Sequence, residues 1–156
     1  MDQEMRRKEK AMSKEETLEV LEQAEYGVLA TISGDDTPYA VPMNFVYVGD
    51  VIYFHCALEG HRLENIKGNN SVCLNVVDSV VLMPEKFNTQ YRSVTAFGTI
   101  SIVENEEEKR KGIKAIADKL SPEFPKEGME YINSAFHNMH VLRMDVTKMT
   151  GKATRG

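Results

Sequence analysis

The chain has 156 residues, 42% of them hydrophobic and 28% charged, which suits one soluble globular domain over residues 1–156 and excludes a disordered or fibrous protein. Its formal net charge of −5 argues against a nucleic-acid partner, because counterion release needs a basic face and the one basic cluster, Arg6 to Lys10, is flanked and interrupted by Glu4 and Glu9. No apolar run reaches the roughly 18 residues of a membrane span, and the charged start MDQEMRRKEK has no apolar stretch behind it, so no membrane partner and a cytoplasmic location are expected.

Residues 1–12 read as an N-terminal arm. Residues 13–23, SKEETLEVLEQ, predict a helix: Ser13 and Glu16 have the spacing of a capping box, and Leu18, Leu21 and Ala24 share a face. From Tyr26 the hydrophobic period changes to two. GVLATI, the turn SGDD, TPYAVPMNFVYV, a Gly49-Asp50 turn and VIYFHCA predict a three-stranded meander. HRLENIKGNN predicts a short helix closed by Gly68, followed by the strand SVCLNVV.

DSVVLMPEKFNTQ reads as an extended connection to the longest β run, YRSVTAFGTISIV. Asn105 then caps a charged helix, EEEKRKGIKAIADKL, whose Ile113, Ile116, Ala117 and Leu120 form the buried stripe, and Pro122 stops it. The glutamate and lysine run over 104–111 is a solvated face of that helix. A short amphipathic helix around GMEYINSAF leads to a last strand, HVLRMDVTKM, in which Leu142, Met144 and Val146 alternate with Arg143, Asp145 and Thr147. About six strands joined mostly by short turns, with no repeated strand-helix-strand spacing, predict a mainly β fold, a closed antiparallel barrel with flanking helices.

Three chemistries compete for the polar residues. A zinc site at His55, Cys56 and His61 fails because alternation sends His55 and Cys56 to opposite faces of one strand, and the same geometry removes a Cys/His nucleophile pair. Cys56 and Cys73 both sit in apolar runs, as reduced thiols do. His137 and His140 carry no assignment. The remaining reading is an anion cradle in YFHCALEGHRLENIKGNN, residues 53–70: Gly60 allows close backbone approach, His61 and Arg62 bring charge, and a helix start offers free N–H groups. An ordinary strand-to-helix turn with exposed basic residues is the alternative.

The segments MRRKEKAMSKEETLEVLEQAEYGVLAT, PYAVPMNFVY, IYFHCALEGHRLENI, YRSVTAFGTI and MDVTKMTGKA resemble the pyridoxamine 5'-phosphate oxidase-like superfamily of FMN-binding split barrels. They are most similar to its nitroimidazole-resistance (Nim) branch, over about residues 5–153. The resemblance implies a six-stranded Greek-key split barrel and a homodimer with FMN in the subunit interface. Gly60, His61 and Arg62 would hold the phosphate and His55, Cys56 and Ala57 would line the ribityl chain. Val41, Pro42, Met43 and Asn44 would run along the isoalloxazine, with Pro42 and Met43 as a flat apolar floor. Arg92, Ser93 and Val94 would come from the second subunit.

Arg62 stands where the branch usually has lysine, exchanging a point charge for a planar fork, and Met43-Asn44 stands where Leu-Ser is commoner. The chain contains no Trp and no arginine-rich C-terminal segment, so pyridoxamine phosphate oxidase activity is not expected. The implied activity is that of an FMN-dependent oxidoreductase acting on a small planar electron acceptor, a nitro compound in the Nim-like case, with His55 either a candidate catalytic proton donor or a residue packed against a barrel neighbour. A non-enzymatic flavin-binding or haem-binding stress protein of the same fold is the alternative, and a deazaflavin is a further possible ligand.

Overall fold

The computed structural model describes residues 3–156. Ser13 caps helix α1, Lys14–Gln23, by accepting from the Glu16 N–H at 3.1 Å, so the capping box read from the sequence starts the helix where expected. α1 buries Val20 and Leu21. Strands β1, Tyr26–Ile32, β2, Pro38–Asn44, β3, Val46–Val48, and β4, Val51–Cys56, follow. Helix α2, His61–Gly68, leads to the long strands β5, Ser71–Met83, and β6, Asn88–Ile102. Helices α3, Glu106–Leu120, and α4, Pro125–Ala135, precede the last strand β7, His140–Thr154. Asn105 caps α3 through its side-chain oxygen, which accepts from the Glu108 N–H at 2.8 Å.

All strands pair antiparallel in one sheet of order β2-β1-β5-β6-β7-β4-β3. The sheet therefore has seven strands where six were expected, because the single predicted strand TPYAVPMNFVYV is interrupted at Phe45. Up to Asn44 it pairs with β1, and from Val46 it pairs with β4. The two edges of the sheet are thus consecutive pieces of one chain path, which obliges the sheet to curl until they meet. The Phe45 ring is fully buried in the barrel. Its carbonyl accepts from Lys119 Nζ of α3 at 2.9 Å, and the ammonium lies 4.0 Å from the ring centroid; burial pulls that ammonium down to about 8.

The expected connection DSVVLMPEKFNTQ is instead the end of β5, a tight turn at Pro84–Lys86, and the start of β6. Phe87, at a φ of 49°, turns the chain back. The apolar interior is split in two. Leu29, Phe54, Leu74, Val94, Leu142 and Met144 fill the barrel. Tyr53, Ile113, Ile116, Ile132, Phe136 and Val141 pack between α3, α4 and the outer face of the sheet. Both cysteines are free, Cys56 buried and Cys73 half-buried. Among the described residues no helix is long and apolar enough to cross a membrane.

The segment M-T-G-K near the C-terminus has a packing reason. The arm joins the sheet there: Ala11 bridges to Lys152, and the Met12 N–H donates to the Gly151 carbonyl at 2.9 Å. A Cβ on Gly151 would stand 2.3 Å from Thr17 Oγ1 and 2.9 Å from Met12 Cε. Gly151→Ala must therefore push α1 and the arm off β7. We expect a loss of about 1–3 kcal/mol, the scale of overpacking a filled core, read as a lower urea midpoint at unchanged m-value; an unshifted midpoint would contradict this packing.

Candidate functional site

β4 ends at Cys56, and four residues later the chain enters α2 through Gly60 at a φ of 149°. A Cβ at Gly60 would meet no atom within 4 Å, so the backbone conformation, not crowding, selects glycine. No side chain caps α2, which leaves the first N–H groups of the helix without intrahelical acceptors. Leu63 and Ile66 drop into the barrel core. Buried Asn65 donates through Nδ2 to Thr31 Oγ1 of β1 at 3.0 Å, fixing the helix start against the sheet.

The junction forms a cleft of about 130 Å³ lined by Cys56, Ala57, Gly60, His61, Arg62 and Tyr39 among others. His61 is stacked on Tyr39, with ring centroids 4.2 Å apart and planes 31° from parallel. Its Nε2 lies 3.1 Å from Ser33 Oγ in the β1–β2 turn. Half-buried Arg62 has no carboxylate partner among the described residues. Burial raises the Cys56 thiol above its ordinary range, and the charge of Arg62 opposes that rise. A guanidinium without a carboxylate partner among the described residues, at the uncapped start of a helix, is chemistry suited to an anion. Glu59 also lines the cleft.

The structure brings Cys56, Ala57, Gly60, His61 and Arg62 together and distributes the other candidates elsewhere. His55 does not line this cleft; the pleat turns it to the outer face of β4, beside α3 and α4. Burial first, and then the Arg62 charge, lowers its pKa. On β2, Val41 and Met43 point to the barrel core, while Pro42 and Asn44 are exposed. The apolar floor expected from Pro42 and Met43 is therefore divided by strand alternation. Pro42 instead pairs with Val28, which is also exposed. Asn44 Nδ2 donates to the Glu25 carbonyl at 2.8 Å.

In β6, Val94 is fully buried in the barrel and Ser93 is half-buried. Arg92 is engaged within its own chain: Nε and Nη2 donate to the two Asp78 carboxylate oxygens at 2.8 Å each, and Nη1 donates to Glu19 at 3.1 Å. These bonds raise its pKa. Tyr39, which lines the cleft, and Ser33, which meets His61, are residues that sequence reasoning missed. Alternation along β2 was the available signal for Tyr39, since it shares a face with Val41 and Met43; nothing in the sequence marked Ser33.

The sequence profile described as pyridoxamine 5'-phosphate oxidase matches residues 13–153. Among solved structures, the chain is similar to a proposed 5-nitroimidazole antibiotic resistance protein from Bacteroides thetaiotaomicron. That match has 28% identity and a TM-score of 0.79, covering 90% of this chain and 84% of the other. A conserved hypothetical protein from Mycobacterium tuberculosis matches at 17% identity and a TM-score of 0.82, covering 96% and 90%. A flavocytochrome from Azotobacter vinelandii matches at 20% identity and a TM-score of 0.80, covering 98% and 73%. The last two similarities show the shared fold alone. No curated protein matches the chain.

Proposed function

The chain belongs to the pyridoxamine 5'-phosphate oxidase family, and from that premise we propose that it is an FMN-binding oxidoreductase that delivers electrons to a small planar acceptor. The observation that carries this reading is Arg62, without a carboxylate partner among the described residues, at the uncapped start of α2 behind Gly60. A phosphate monoester fits that set of donors, with Arg62 offering a planar fork and α2 its free N–H groups. The cleft, at about 130 Å³, is well below the roughly 300 Å³ at which pockets for drug-sized ligands begin. It takes the phosphate end of such a ligand and leaves the ring to the outer surface.

Bound FMN would supply the redox chemistry. The chain's own work is to hold the phosphate, to stack His61 on Tyr39 at the cleft wall, and to present paired Pro42 and Val28 as exposed apolar groups on β2 and β1. No side chain has to act as a nucleophile. Tyr26 on β1 and Val77, Val80, Val81, Leu82 and Phe87 along the β5–β6 hairpin are exposed as well. We assign these exposed apolar groups to a contact with a second copy of the chain, since so many are unusual on a monomer. The reading therefore places the cofactor at a homodimer interface.

If Arg62 pairs with the phosphate, Arg62→Ala should weaken FMN by about 1.5–3 kcal/mol, the scale of a hydrogen bond to a charged group, and leave riboflavin binding nearly unchanged. Equal losses for the two ligands in a titration calorimeter would show that Arg62 supports the fold and not the phosphate.

The similarity to the Bacteroides thetaiotaomicron protein supports an aromatic nitro compound as the acceptor. Two electrons and two protons convert a nitro group to a nitroso group and release water. An acceptor held in contact with the donor favours this paired transfer over escape of a radical. Anaerobic single turnover of the photoreduced, FMN-loaded protein with metronidazole should accelerate flavin reoxidation and give even-electron products. Unaccelerated reoxidation would favour a flavin carrier without a dedicated acceptor, and a nitro radical as the main product would contradict the paired transfer.

A further inference from the structure

The seam at Phe45 is held from α3 by a single amine, which has no carboxylate partner among the described residues. Lys119 Nζ donates to the Phe45 carbonyl at 2.9 Å and lies 4.0 Å from the centroid of the Phe45 ring, so its partners are a backbone dipole and a ring face. The acid beside it in sequence, Asp118, is paired with Lys114 at 2.7 Å. On the elements that pack against α3, Tyr47 of β3 donates to Asp50, and Tyr53 of β4 and Arg143 of β7 are bound to Glu108 in the first turn of the helix. His55 of β4 stands with Glu127 and Tyr131 of α4 around Ile113 and Ile116. None of these groups moves the proton equilibrium of Lys119, which burial alone displaces.

An ammonium drawn out of water without a counter-charge favours its neutral form, and burial accordingly pulls Lys119 down to about 8. A lysine amine desolvated against apolar groups is a nucleophile near neutral pH. We propose that Lys119 is a covalent modification site, accepting an acyl group from a small activated donor of the acyl phosphate class. The half-buried side chain restricts the donor to a small one. In the step, neutral Nζ attacks the acyl carbon and the C–O bond to phosphate breaks. Phosphate leaves with the bonding pair, and the amine gives a proton to water; nothing is oxidised or reduced. The amide left on Nζ keeps one N–H for the Phe45 carbonyl and takes the charge off the ring, so one covalent step turns the contact between α3 and the seam from ionic to neutral. The proposal rests on α3 and Phe45 and does not depend on the flavin reading.

Acetyl phosphate is the probe, used in limiting amount on the protein as purified, with the acetylation of each lysine followed by peptide mass spectrometry. At about pH 7.5 Lys119 should be acetylated roughly 10-fold faster than the exposed Lys111 and Lys126. Its rate should level off above about pH 8, whereas that of a free lysine derivative, Nα-acetyl-lysine amide, keeps rising to about pH 10. In denaturing urea the advantage of Lys119 should disappear, because the desolvation behind it belongs to the fold. Lys119 modified no faster than Lys111 and Lys126 in the folded protein, or a rate that climbs with pH in parallel with the free derivative, would overturn the assignment. An advantage that persists in urea would overturn its origin in the seam.

Discussion

The interruption at Phe45 is the constraint on which the rest of the structure depends. One chain segment serves as β2 on one edge of the sheet and as β3 on the other, so closure of the barrel is imposed by connectivity. The buried ring anchors the change of partner from within. Lys119 holds the intervening carbonyl from outside, giving α3 a direct grip on the seam. Closure brings β2 beside β4, and only then can Tyr39 and Cys56, far apart in sequence, line the same cleft. The helix layer, the seam and the cleft are thus linked through one chain segment.

From that seam, strand alternation on β4 sorts the chemistry. Phe54 and Cys56 face the barrel side while Tyr53 and His55 face the helices. Arg62, just beyond the strand, acts electrostatically on both sides: it opposes the burial-driven rise of the Cys56 thiol and reinforces the burial-driven fall of the His55 imidazole. A single cation therefore biases two neighbouring side chains whose surroundings are otherwise unrelated. Asn65 keeps this arrangement in register, since its bond to Thr31 ties α2 to the strand that pairs with β2.

What could be read in the sequence was what local chemistry decides. Ser13 with Glu16 and Asn105 before the glutamate run marked helix starts because caps act over three residues. Gly60, His61 and Arg62 could be grouped because they are consecutive. The split at Phe45 could not be seen, since the hydrophobic alternation runs through it and only a long-range pairing distinguishes the halves. The β5–β6 hairpin was read as a connection because Val80, Val81 and Leu82 are consecutive apolar residues, breaking the period of two. The structure breaks register there too, between Asp78 and Val81 with Ser79 at a φ of 54°. The intrachain engagement of Arg92 depends on Asp78 and Glu19, neither of which is near it in sequence.

The central claim is a flavin held by its phosphate at Gly60, His61 and Arg62 in the interface of two chains. Sedimentation velocity followed at 280 nm and at about 450 nm, where an oxidised flavin cofactor absorbs, tests it most directly on protein loaded with FMN and then desalted. The account predicts flavin absorbance moving with a species of twice the 17.6 kDa chain mass. Flavin carried by a monomer, or protein that retains no flavin at all, would contradict it.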